Sequence, residues 1–582
     1  TGVTPSGKDR FRVFLTDSLS DWHKELPGGL FASALAPEQQ GADEVKRDTP
    51  VMVVLGNPPY SISSQNNNPW IQNLVLDYKR NLEERNIQPL NDDYIKFIRL
   101  AQHYVEKNGE GIVAFITNNS YLDGLIHRQM RKSLLDVFDE IYILNLHGNS
   151  RIHETTPDGG KDENVFNIMA GVAILLFVKR GNCLTQSSQS PQSCGDEKTS
   201  RTKAHLREEN NCRVYYADLW GKKKEKLAAL NDATMESVDW KELKLAEPMY
   251  FFKPRNTNGE DEWNNAFGIA EIMKVQTSGV KTHNDGELVS FIPFESSENK
   301  PYQYKPFDNR WIDYNLKKVV RPRYKVMSHM LHDNISMVVS RQCKSDWRYV
   351  FCTDKLSDIN LTASAGALGG GYVFPLYLYE ENMGKVEKRA NLDKDIVAKL
   401  RALVEGDKLT QSGEEETSRT SRTSREELTP EDIFDYIYGV LHSPSYRTKF
   451  KEFLKVDFPR IPYPKDLGEF ERFRAAGREL RAVHLMKDAE PSLSEARGRF
   501  PIAGDNVVDA VKWDNGRVYI NSSQYFDNVP LEAWEQAIGG YRPAEKYLKD
   551  RKNRALSQEE LKHYQRIILA LAKTREIMDG LI

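Results

Sequence analysis

The stretch VMVVLGNPPY, residues 51–60, places a short continuous apolar run directly before a loop stiffened by two prolines. Val51–Leu55 is the kind of run that forms a buried parallel strand. Outward from it, strand and helix signals alternate. Asp92–Glu106 carries Tyr94, Phe97, Ile98, Ala101, Tyr104 and Val105 at helical spacing behind an Asn91/Asp92 cap. Gly111–Thr117 (GIVAFIT) predicts a strand, Leu125–Phe138 a helix, Ile141–Leu146 (IYILNL) a strand, and Ala170–Val178 one more. This alternation predicts an α/β fold with a parallel, doubly wound sheet. Ligands of such sheets sit just beyond the carboxyl ends of the strands, which is where residues 57–60 fall.

Those four residues have a definite chemistry. Pro58 and Pro59 fix their own φ and restrict the residue before them. The Pro58 carbonyl has no neighbouring N–H to compete for it and is free to act as an acceptor in a site. The Asn57 carboxamide supplies a second acceptor close by. Two acceptors facing one exocyclic amino group take both of its N–H bonds and leave the nitrogen lone pair ready to attack. Tyr60 adds an aromatic face for a base. A simple proline turn is the plain alternative, and the position directly behind an apolar strand favours the functional one.

At 582 residues the chain has room for three or four domains of ~150 residues. Hydrophobic residues make up 39%, charged residues 28%, and the mean hydropathy is −0.61, a composition that excludes wholesale disorder. Lysine plus arginine number 81 and aspartate plus glutamate 84, a net charge of −3, so any nucleic-acid surface must be local. The longest apolar run, Ile168–Val178, falls well short of the ~20 residues a spanning helix needs, which argues against a membrane protein. Five cysteines without paired C-x-x-C spacing argue against a disulfide framework or zinc ribbon and fit a reducing cytoplasm. The histidines lack metal-site grouping. There is no G-x-x-x-x-G-K-[ST] motor loop and no paired-acid-plus-lysine nuclease site.

Residues 183–205 and 407–428, rich in Ser, Thr, Gln and charge without apolar periodicity, read as flexible linkers. They divide the chain into 1–182, 206–406 and 429–582. Beyond residue 206 the pattern is mixed, with Gly366, Gly369, Gly370 and Gly371 ahead of the strand-like YVFPLYLY. The last block reads as mostly helical, through Glu431–His442, Glu469–Met486 and Gln558–Met578.

LGNPPY resembles the catalytic motif of the amino-group DNA methyltransferases, and its asparagine is more typical of the adenine-N6 type. DDYIKFIRLAQ, GIVAFITNNSYLDG, IYILNLHGN, DENVFNIMAGVAILLFVK, YKPFDNRWIDY, RPRYKVMSHML, IFDYIYGVLHSPSYRTKFKEFLKVDFPRIP and IGGYRPAEKYLKDRKNR extend the likeness across nearly the whole chain outside the linkers. They resemble the methyltransferase and target-recognition part of single-polypeptide restriction–modification enzymes. The resemblance implies a partial doubly wound S-adenosylmethionine-dependent methyltransferase sheet over 1–182. It implies a mixed α/β target-recognition region, first part 206–406 and helical C-terminal part 429–582. Asn57, Pro58, Pro59 and Tyr60 take the amino-binding and base-stacking roles, with Phe166 as second stacking aromatic. On the same resemblance Asp17, closing the strand-like RVFLTD, is expected to contact the cofactor's adenine, with Asn57 at its methyl end. The family's glycine-rich cofactor loop has no match ahead of Asp17. The chain is therefore expected to begin inside the methyltransferase domain and to bind S-adenosylmethionine weakly by itself. Upstream nuclease, helicase and cofactor-binding parts of one prokaryotic, cytoplasmic parent polypeptide are expected partners.

The other expected partner is double-stranded DNA. Residues 301–350 hold ten Lys or Arg against four Asp, with eight aromatics. Arg321, Arg323, Lys325, Arg341, Lys344 and Arg348 are the phosphate-contact candidates. TSGVKTHND (277–285) resembles a loop at the start of the family's recognition region, and Lys281, His283 and Asn284 are placed on it to reach phosphates or base edges. Two other functions compete with this one. One is a DNA-recognition module without catalysis; the other is methylation of RNA or protein glutamine, which leaves the long downstream region unexplained.

Overall fold

A computed structural model describes residues 13–582 except 15, 22–31, 62–63, 83, 85–86, 151–153, 182–211, 256–257, 344–345, 364–369, 383–384, 412–427 and 488–496. The chain forms two compact units, Thr1–Arg255 and Asn256–Ile582.

The first unit is a six-stranded sheet flanked by helices. Its strands are β1 (Val53–Gly56), β2 (Gly111–Asn118), β3 (Glu140–His147), β4 (Val172–Lys179), β5 (Arg213–Asp218) and β6 (Lys241–Glu242), in the order β1-β2-β4-β3-β5-β6. Its helices are α1 (Ala32–Asp48), α2 (Pro69–Lys79), α3 (Asp93–Asn108), α4 (Arg128–Val137) and α5 (Lys223–Asp232). The α/β class stands, but the sheet is mixed rather than wholly parallel. β1 pairs parallel with β2 and β3 with β5, whereas β4 inserts antiparallel between β2 and β3. A parallel neighbour needs a crossover of a dozen or more residues, usually a helix. No helix separates β3 from β4 among the described residues, so the chain turns back and pairs antiparallel. β5, beyond the 183–205 stretch, belongs to this same sheet. The stretch itself lies outside the described residues.

The helix α3 has the expected periodicity: Tyr94, Ile95, Ile98, Ala101 and Val105 are buried, and Gly109 ends it in the left-handed conformation at φ 81°. With Phe115, Leu134, Phe138, Ile143, Leu175 and Phe177 these residues form the main core of the unit. The run at β1 differs from the expected buried strand. Leu55 is 74% exposed and Val53 53%, because among the described residues β1 is the edge of the sheet with β2 as its one neighbour.

The second unit carries two four-stranded sheets. One orders Leu356–Ser357, Asn299–Lys305, Asp308–Asp313 and Val289–Ser290; the other orders Val350–Thr353, Ser336–Ser340, Gly371–Pro375 and Thr277–Ser278. The helices Pro430–His442, Leu467–His484 and Gln558–Asp579 match the predicted ones, the first and last opened by capping boxes at Thr429 and Ser557. The C-terminal block also holds a three-stranded antiparallel sheet, Lys512–Asp514, Arg517–Tyr519 and Tyr525–Phe526. Asn515 and Gly516, both at positive φ (47° and 82°), make its first turn, the Asn-Gly hairpin signal that helical periodicity elsewhere had overshadowed. The helix Lys394–Gln411 runs into the second expected linker, whose residues 412–427 lie outside the described residues. Gly366 and Gly369 lie outside them as well.

Candidate active site

β1, β2, β3 and β5 run in one direction, so their carboxyl ends share one edge of the sheet. Asn57, Asn119, His147 and Asp218 stand at or just beyond those ends. Asn57 is exposed, Pro58 buried and Tyr60 half-buried. The Tyr60 hydroxyl lies 3.3 Å from the Ile116 carbonyl and 3.4 Å from Asn57 Oδ1, tying the loop to the neighbouring strand. Its ring meets that of Tyr94 edge-on, centroids 6.0 Å apart at 88°. Burial, with the Asp92 charge adding to it, pushes the Tyr60 phenol up to about 12, so it remains a hydrogen-bond donor at neutral pH.

The chain beyond Tyr60 is held from the start of α3. Asp92, expected as a helix cap, directs Oδ1 to the Ser61 N–H at 2.7 Å. Asp93 Oδ1 accepts from Ser64 Oγ (2.5 Å) and Asn66 Nδ2 (3.1 Å), and the buried Lys96 ammonium donates to Ser64 Oγ (2.6 Å) and the Asn66 carbonyl (2.7 Å). Helix periodicity assigns Asp93 and Lys96 no task and Asp92 only that of a cap; the fold brings all three under the loop.

Phe166 lies between β3 and β4, in a segment that leaves and rejoins the same edge. It is half-buried against a small apolar cluster of Leu144, Leu146, Val165, Val172 and Ala217, and Tyr60 packs against that cluster too. Two aromatics from distant segments therefore share one floor. Beside them lies a network that sequence reading missed. His147, at φ 54°, contacts Glu154 Oε1 through Nδ1 (2.9 Å) and Asp218 Oδ1 through Nε2 (2.6 Å), and stacks on Trp220 at 3.3 Å between centroids. Burial is the largest influence and opposes charge on Glu154 and Asp218, but the bonds from His147, joined by the Asn149 N–H at Glu154 and the Tyr216 hydroxyl at Asp218, together hold both carboxyls below their ordinary range. No local motif announces this set, since its members come from β3, the loop after it and β5.

Asp17 does not close a strand among the described residues, Arg12 and Leu15 of the expected strand lying outside them. It lies in a turn, where Oδ1 accepts from Leu19 N–H at 3.0 Å and its carbonyl takes bonds from Ser20 N and Lys46 Nζ. The turn is connected to the helix behind the proline loop, because Asn68, the N-cap of α2, donates to the Leu19 carbonyl at 2.9 Å.

In the second unit, Lys281 and Arg321 are direct partners. Lys281 N–H donates to the Arg321 carbonyl (3.1 Å) and Arg321 N–H to the Lys281 carbonyl (2.9 Å), an isolated antiparallel bridge. Exposed His283 and Asn284 follow on one side of it, and Arg323 and exposed Lys325 on the other. The other basic candidates are engaged within the unit. Arg341 pairs with Asp457 at 2.6 Å, and Arg348 Nε donates to the Gly539 carbonyl at 2.9 Å. Lys344 lies outside the described residues.

Residues 280–580 match the family described as "Type ISP C-terminal specificity domain", and residues 21–152 match "Eco57I restriction-modification methylase". No curated protein matches the chain. Among solved structures it is similar to the ATP-dependent Type ISP restriction–modification enzyme LlaBIII bound to DNA (TM-score 0.69, 20% identity, 98% of this chain and 39% of that one). It is similar also to DrdV in its DNA complex (0.70, 21%, 95% and 59%). A third is a nuclease-deletion mutant of the Type ISP enzyme LlaGI with a DNA substrate mimic (0.70, 19%, 99% and 48%). At these identities the likeness is one of fold, and the chain spans between 39% and 59% of the length of these relatives.

Proposed function

Because the chain belongs to the family of Type ISP C-terminal specificity domains, with a restriction–modification methylase match ahead of it, we propose that it is the base-holding and target-recognition part of a site-specific DNA adenine-N6 methyltransferase. What carries this reading is the Asn57–Tyr60 loop at the carboxyl edge of the sheet, with Tyr60 and Phe166 on one apolar floor. The target adenine leaves the duplex and is stacked by Tyr60 and Phe166. Asn57 Oδ1 and the Pro58 carbonyl accept the two N6–H bonds, which localises the nitrogen lone pair for attack. Lys281, His283, Asn284, Arg321, Arg323 and Lys325 form the phosphate- and base-contacting surface of the second unit.

The methyl donor implied by the family, S-adenosylmethionine, finds only part of a site among the described residues. Asn57 is the residue that would meet its methyl end. Asp17 commits Oδ1 to the N–H of Leu19 in its own turn, so among the described residues it offers one partly engaged carboxylate and not the set of polar groups that fixes a small ligand. The upstream parts of a parent polypeptide are proposed to complete it. This same observation favours the second reading, a recognition module without catalysis.

The test is modification-sensitive sequencing of genomic DNA from cells carrying the intact gene or its Asn57→Ala form. N6-methyladenine at one sequence motif, lost in the variant while duplex binding persists, is the expected result. Modified cytosine, or a loss of DNA affinity equal to the loss of modification, overturns the proposal.

A further inference from the structure

Lys226, on α5, is fully buried, and its ammonium has three partners: Asp162 Oδ1 at 2.7 Å, the Leu146 carbonyl at 2.7 Å and the Glu163 carbonyl at 2.8 Å. All three donors of the group are used. The side chain of Asp162 is equally inaccessible. Its Oδ2 accepts Gly148 N–H at 2.7 Å and its Oδ1 accepts Gly221 N–H at 2.9 Å. Thus one buried ion pair joins α5, the end of β3 and the segment that carries Phe166.

The adjoining residue completes the arrangement. Asn164 donates through Nδ2 to the carbonyls of Gly148 (3.0 Å) and Ala170 (2.6 Å), the two ends of the β3–β4 connection, and its Oδ1 accepts the Phe166 N–H at 2.8 Å. Gly148 sits at φ 81°, and a side chain there would collide with the Asn164 backbone, so the two segments are in direct contact. Lys226 lies beyond residues 183–205 in sequence, and its ammonium bonds to Asp162, Leu146 and Glu163, not to Tyr60 or Phe166. Buried charges are held in place by complete pairing, and removing one partner leaves the other unsatisfied.

We infer that Lys226 is a positioning residue: through Asp162 and Asn164 it sets where Phe166 stands relative to Tyr60. The inference rests on the reading of Phe166 as a base-stacking residue, and the test separates the two. In hydrogen exchange on the full chain, Lys226→Met should speed amide exchange of residues 162–170 at least tenfold while β2 and β4 stay protected. The Lys226→Met/Asp162→Asn pair, which leaves no lone buried charge, provides a folded variant for the same measurement. In the intact gene product, 2-aminopurine replaces the target base located by modification mapping. Phe166→Ala should reduce its quenching, Lys226→Met should do so to a similar extent, and the double variant should lose no more than twofold beyond Phe166→Ala alone. Unchanged loop exchange in both Lys226 variants, or a full additional loss in the Phe166→Ala background, overturns the inference. Faster exchange together with a Phe166→Ala protein that quenches normally supports the positioning and overturns the stacking role instead.

Discussion

Replacing Lys281 and Arg321 by glutamine removes two charges from one point on the second unit without touching its backbone. The two residues face each other across a pair of backbone hydrogen bonds of 3.1 and 2.9 Å, which any side chain preserves. Residues so paired have Cα atoms about 5.5 Å apart, close enough for the two cations to address neighbouring phosphates. Each phosphate contact adds about 0.9 to the slope of log affinity against log salt. Losing both flattens the slope by about 1.8, and over the decade from 1 M to 0.1 M salt that is about 60-fold in affinity, or ~2.4 kcal/mol. Fluorescence anisotropy with an arbitrary duplex, titrated at several salt concentrations, measures the slope directly. Arg341→Gln serves as the comparison. Its guanidinium already has Asp457 as partner, so its slope should change by less than half as much per charge. A double variant whose slope equals that of the unaltered chain, or an Arg341 variant that changes it more, refutes the assignment of this bridge as the phosphate-contacting surface.

Calorimetry of the 582-residue chain with S-adenosylmethionine should show weak binding or none, since Asp17 is turned to Leu19; micromolar binding would place the cofactor site elsewhere. Gly477→Ala should destabilise the second unit by about 1–3 kcal/mol or more in denaturant unfolding, because an added Cβ meets the Asp435 carbonyl where two helices cross; wild-type stability would mean that the crossing is looser than described. His484 is fully buried between Tyr438 and Thr574, with its pKa lowered to about 3 by burial and then by the Arg447 charge. The unfolded state therefore takes up the proton first, and stability falls as pH drops below about 6.5, by up to ~1.4 kcal/mol per pH unit for this one group. A His484→Gln variant should show a shallower decline in unfolding free energy from pH 7 to 5, and an identical decline would remove His484 as its source.

The α/β class, the helices around Tyr94, Phe434 and Tyr564, and the loop at Asn57 were all legible in the sequence. Each is written in residues that are neighbours along the chain: apolar spacing sets the face of a helix, and consecutive prolines restrict their own backbone. The antiparallel placement of β4 was not legible, since the same apolar run suits either orientation and only the lack of a crossover helix among the described residues selects one. The pairing of Asp92 with Ser61, of Lys226 with Asp162 and of Lys281 with Arg321 was likewise hidden. Lys281 and Arg321 were each readable as basic residues on candidate loops, yet nothing local says that their backbones meet. Lys226 had no signal at all, being one lysine among several at the start of a polar helix. A residue's type and its local conformation travel with the sequence. Which buried charge finds which partner depends on how strands and helices far apart in the chain pack together, because burial makes such a pairing obligatory only after the fold has closed around it.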